Sequence, residues 1–87
     1  MYRPEITKER PAIPTEFTEG FEVNGKWLAP GWYLVRISDM GLDYMTGTEV
    51  RYTDFERCKL ACDLHNQTAC GMSIGDIATL YAQRRFN

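Results

Sequence analysis

Along residues 32–37, WYLVRI, the side chains alternate: Tyr33, Val35 and Ile37 fall on one side, Trp32, Leu34 and Arg36 on the other. A period of two is the mark of a strand. Residues 48–52 alternate again, with Val50 and Tyr52 against Glu49 and Arg51. Upstream, FEVNGKWL sets Asn24-Gly25 between two apolar runs. Both residues tolerate positive φ, so the pair predicts a two-residue hairpin. Pro30-Gly31 then turns the chain into 32–37. Three or four short antiparallel strands follow from these patterns.

The period changes after residue 53. Thr53 and Glu56 are spaced as a capping box, which predicts a helix over 54–66. Advancing about 100° per residue puts Phe55, Cys58, Ala61, Cys62 and His65 within an arc of about 120°. Glu56, Lys59 and Asp63 lie opposite, and Leu60 and Leu64 widen the apolar side. Ser73 and Asp76 repeat the cap for a second helix, with Met72 and Ile77 spaced as a hydrophobic staple and Gly71 as the joint. The order reads as an α+β domain: a small antiparallel β-meander of three to four strands, then two C-terminal helices packed on one face. Residues 1–16 show neither period and hold three of the four prolines. They are expected to form an extended arm ahead of a single domain over 17–87, read first as a flexible, frayed terminus and alternatively as a segment lying across the domain through Tyr2, Ile6 and Ile13.

Composition narrows the class. At 87 residues, 44% hydrophobic and 13% aromatic, the chain can build one packed core and is not of disordered type. A formal charge of −2 is too mild to draw nucleic acid or a membrane surface. The start has no apolar signal-type segment, and no run approaches the roughly 18 apolar residues of a membrane span. Three cysteines cannot form a complete internal disulfide framework. A reducing cytoplasm is the expected location.

Reactive side chains concentrate in one window, Cys58, Cys62, His65 and Cys70. Three thiols and an imidazole are an accepted zinc set. On an unbroken helix, however, Cys58 and His65 stand about 10.5 Å apart along the axis. Cys and His side chains scarcely span that gap with tetrahedral angles at the ion. Cys62 and His65 are close enough to touch, but no oxyanion cradle or orienting group accompanies them. The expected role of the cluster is the buried face of a helix, with no cofactor and no catalytic residue. A zinc-supported module built on these four residues is one alternative.

If Tyr33, Val35 and Ile37 meet the helices, Trp32 and Leu34 emerge on the opposite sheet face, near Trp27. Large apolar residues on such a face imply either a contact patch or a cover, the cover here being the N-terminal arm anchored on the two tryptophans. The contact residues read this way are Trp27, Trp32, Leu34 and Arg36, with Arg84 and Arg85 behind them. The two arginines also suit the C-terminal end of a helix dipole. A nucleic-acid regulator using that helix is the other alternative, disfavoured because the basic patch is small.

The run WYLVRI…TGTEVRYTDFERCKLACDLHN, within residues 32–66, is similar to the strand–turn–strand–capped-helix module of many small phage and mobile-element proteins. The resemblance covers under half the chain and carries no catalytic or ligand positions. It implies a stand-alone accessory protein that binds and modulates a host factor, such as a defence enzyme. The sequence thus predicts a small non-enzymatic domain that docks on another protein to inhibit or regulate it.

Overall fold

The computed structural model describes residues 9–38 and 43–84. Five strands precede two helices: β1 Ala12–Phe17, β2 Phe21–Val23, β3 Lys26–Leu28, β4 Gly31–Ile37, β5 Asp43–Tyr44, α1 Phe55–Thr68 and α2 Ile74–Arg84. The fold is α+β, as the periodicities predict. Its antiparallel sheet has the order β1-β4-β5, and β2 and β3 form a separate hairpin. Asn24 (φ 51) and Gly25 (φ 80) make the hairpin turn, with Val23 opposite Lys26. Positive φ at both positions matches the twist of the strands they join.

Central strand β4 is covered on both faces. Ala12, Cys58 and Cys62 form one core, joined by Trp32, Leu34, Tyr52 and Tyr81. Leu28, Tyr33 and Val35 form the other, joined by Phe17, Phe21, Val23 and Met45. Phe17 and Phe21 stack at 4.2 Å between centroids, and Phe21 meets Tyr33 edge-on at 5.5 Å. The expected assignment of faces is therefore inverted. Trp32 and Leu34 meet the helices, while Tyr33 and Val35 meet the hairpin. Both rows of β4 are apolar, so alternation alone could not say which layer covers which row.

Three further expectations are corrected. The boundary between arm and domain, placed after residue 16, runs through β1, which pairs with β4 from Ala12↔Arg36 to Phe17↔Gly31. Ile37 donates its N–H to Pro11 O at 2.8 Å, so by register Ile13, Thr15 and Phe17 exchange hydrogen bonds with β4. Pro14 faces the free edge, where its missing N–H costs the ladder nothing. Residues 48–52 form no strand. Only Trp32 and Tyr52 pair, through two 2.9 Å hydrogen bonds. The Glu49 carboxylate folds the stretch before them into a turn, accepting from Thr46 N at 2.6 Å and Gly47 N at 2.8 Å. Finally, Leu60 and Leu64 are exposed at 66% and 63%. The buried residues of α1 are Cys58, Cys62 and Asn66, one every four positions.

Both helices are capped by a side chain. Asp54, one residue after the expected Thr53, accepts from Arg57 N at 2.8 Å. Ser73 accepts from Asp76 N at 3.1 Å, as expected. Gly71, at φ 67, carries the chain between the helices. Among the described residues no helix is long and apolar enough to cross a membrane.

Candidate functional site: a groove between the helices and the sheet

Spacing of four places Phe55, Lys59, Asp63 and Gln67 along one side of α1. Across from them α2 presents Ile74, Ile77, Ala78 and Tyr81, the i, i+3, i+4, i+7 stripe of an amphipathic helix. The two rows do not close on each other. Between them and the edge of β1 lies an open groove of about 1220 Å³. Trp32 contributes to its lining and packs edge-on against Phe55, with centroids 5.2 Å apart. Ile77 is buried, whereas Ile74 is 76% exposed at the groove's other end.

A hydrogen-bonded chain ties α2 to α1 along the groove. Lys59 Nζ lies 3.0 Å from Asp63 Oδ2, and Tyr81 Oη donates to Asp63 Oδ1 at 2.7 Å. Asn66 Nδ2 donates to Tyr81 Oη at 3.4 Å. Burial, and then the bond to Asp63, push the Tyr81 phenol above its ordinary range. It is a fixed neutral donor, unsuited to act as a base. Farther along α2, Arg84 forms an ion pair with Asp43. The groove's charges are thus largely paired among themselves, and its open surface is mainly apolar.

The four residues read as a possible zinc set do not converge. Cys58 and Cys62 are fully buried in the helix-side core. Their mutual proximity lowers the Cys58 thiol and, with burial, pushes the Cys62 thiol up. His65 Nε2 donates instead to Arg10 O at 2.8 Å. Cys70 is buried, its Sγ 4.0 Å from Asn66 Oδ1. Among the described residues no three His, Cys, Asp or Glu side chains are grouped to hold an ion.

Of the contact residues read from the sequence, the groove brings together Trp32 and Arg84. Leu34 is half-buried beneath the helices. Arg36 points to Glu49, with Nη1 3.9 Å from Oε1. Trp27 stands apart on the hairpin, 67% exposed. Arg85 lies outside the described residues. Sequence reading missed the α2 side of the groove. The signal that could have found it is the spacing of Ile74, Ile77, Ala78 and Tyr81. No known protein family, curated protein or solved structure matches the chain.

Proposed function

We propose that this chain is a non-enzymatic protein-binding domain that inhibits or regulates a partner by seating an amphipathic helix of that partner in the α1–α2 groove. The groove itself carries the reading. From Phe55 to Gln67 its α1 wall rises about 18 Å, the length of some three helical turns. Its apolar lining, with an aromatic pair at one end, is the form taken by sites that accept a helix in a groove. Arg84, bound to Asp43, does not offer a free cation to a phosphate, which favours protein over nucleic acid. Three buried cysteines, none of them in a disulfide, suit a reducing cytoplasm. The likeness to small phage and mobile-element proteins makes a host or defence factor the favoured partner class.

The test is site-resolved crosslinking in cells. A photoreactive residue replacing Gln67 or Ala82, at the groove, is expected to trap one protein that the same residue at Leu60 does not. Ala78→Glu, at an exposed helical position where Glu is well tolerated, should abolish that product without lowering Tm. Equal trapping from Leu60, or a product indifferent to Ala78→Glu, would overturn the reading.

A further inference from the structure

Among the described residues, no element covers the outer face of the β2–β3 hairpin, where Trp27 is 67% exposed. Phe21, Val23 and Leu28 turn inward to Tyr33 and Val35. The alternate positions Glu22 and Trp27 are a cross-strand pair and so share the outward face. Trp27 is 67% exposed, against the buried or half-buried state of Trp32 and Tyr33. Its six-membered ring also lies over Gly20, where an added Cβ would come within 2.1 Å of Cζ2. A larger residue at position 20 would displace the ring, so glycine there gives the indole a seat while leaving most of it in water. An exposed tryptophan so seated does little for the core, since a fully buried one would remove far more apolar area.

The charges nearest in sequence and register are unequal. Glu22 is directly opposite Trp27, and exposed Glu19 adjoins Gly20. The one cation, Lys26, belongs to the other row of the hairpin, opposite Val23. None of these three forms an ion pair among the described residues. A negative π-face flanked by carboxylates is complementary to a guanidinium, which stacks on indole and donates hydrogen bonds from its edge to a carboxylate.

We propose that the Trp27–Glu22 face of the hairpin is a second docking surface, taking an arginine-bearing basic segment of a partner protein, with one guanidinium stacked on Trp27 and its edge toward Glu22. This surface lies across the sheet from the groove and stands independently of the groove reading. Arginine is preferred over lysine because its planar, weakly hydrated head gives up less on stacking. The interaction is expected to weaken with salt, since the carboxylates are exposed.

The experiment is a titration of the whole chain with a short oligo-arginine peptide, an oligo-lysine peptide of equal length and an oligo-glutamate peptide. It is followed by the two tryptophan indole N–H resonances. Oligo-arginine should shift the Trp27 resonance saturably and leave that of Trp32 in place, with oligo-lysine weaker and oligo-glutamate inert. Trp27→Leu, which keeps an apolar cover on Gly20, should weaken oligo-arginine binding about tenfold, and Glu22→Gln several-fold. The undisturbed Trp32 resonance reports that each variant is folded. Equal affinity in Trp27→Leu, no saturable shift at Trp27, or no preference for arginine over lysine would overturn the proposal. Ala78→Glu should leave this titration unchanged, so failure here and failure of the groove reading are separate results.

Discussion

Asn66 and Ala12 are joined by two hydrogen bonds, although 54 residues separate them. The Ala12 N–H donates to Asn66 Oδ1 at 2.8 Å, and Asn66 Nδ2 donates to the Ala12 carbonyl at 2.9 Å. The amide side chain thereby does for β1 what a neighbouring strand would do. It satisfies the outward donor and acceptor at a point where both partners are fully buried. Edge strands tend to recruit other chains through such open groups. Here Asn66 closes one position, Pro14 has no donor at the next outward one, and Glu16 is charged and exposed at the last. The same stretch is fastened twice more, by Glu9 N to Ala69 O at 3.2 Å and by His65 Nε2 to Arg10 O at 2.8 Å.

Replacing Asn66 by Leu should therefore be among the costliest changes in the chain. It strands a buried N–H and a buried C=O, each worth about 1–3 kcal/mol unsatisfied. A loss of about 3 kcal/mol in urea unfolding is expected, with the m-value unchanged. Asn66→Asp keeps the acceptor but loses the donor and adds a buried charge, so it should not rescue the fold at neutral pH. A loss under about 1 kcal/mol for Asn66→Leu would mean that water takes over both groups.

Tyr81→Phe probes the attachment of α2. The phenol is the only side-chain hydroxyl bridging the helices among the described residues, through Asp63 and Asn66. Its removal leaves Asp63 with Lys59 as partner, so the expected cost is about 1 kcal/mol, some 4–8 °C in Tm. Amide hydrogen exchange should quicken across α2 and not in α1. Equal quickening in both would show that the helices open as one unit.

The two tryptophans should respond oppositely to truncation. Trp32 packs in the helix-side core with Cys58 and Cys62 and meets Phe55. Trp32→Ala is expected to cost about 3 kcal/mol through lost burial and a cavity. Trp27, mostly in water, should lose under about 1 kcal/mol on the same change. Thermal melts of the two variants side by side decide the matter, and a reversed order would refute the layer assignment.

What could be read ahead of the structure depended on whether the cue was local. Asn24-Gly25 specifies its turn by backbone chemistry alone, and Ser73 and Asp54 act within a few residues of themselves, so the hairpin and the helix starts were legible nearly to the residue. The orientation of β4 was not, because Trp32 and Tyr33 are equally apt for burial and only the position of the hairpin layer decides between them. Prolines at 11 and 14 disguised β1 as an arm, since a proline fits a strand only where its nitrogen, which carries no hydrogen, leaves no ladder partner unmet. Glu49 reads as the polar half of a strand, yet its carboxylate finds the N–H groups of Thr46 and Gly47 and bends the chain instead. The groove was half legible. The α2 stripe is plain in the sequence, but that it stays open follows from how Tyr81, Asp63 and Arg84 hold the helix.

Glu49 also gives the fold a pH dependence whose sign can be worked out. Burial tends to raise its carboxyl, but hydrogen bonds from Thr46 N–H, its own N–H, the Thr46 hydroxyl and Gly47 N–H outweigh this and hold it below 4.5. A carboxyl with a lower value folded than unfolded contributes stability that is fully present above the unfolded value. The contribution is lost as pH falls through the folded one. Wild type should thus lose Tm on acidification from neutral pH to below about pH 4, near the unfolded range of Glu. Glu49→Gln should have a lower Tm at pH 7 and a shallower acid slope, the two curves converging in acid. The amide can accept at one oxygen where the carboxylate accepts at two, so the 46–49 turn loosens. That turn borders the hairpin, since Asn24 Nδ2 donates to Thr46 O at 3.1 Å. The Asn24 side-chain amide resonance should therefore shift along with it. Parallel acid slopes for Glu49→Gln and wild type would assign the pH dependence to other carboxylates and leave the turn to its backbone alone.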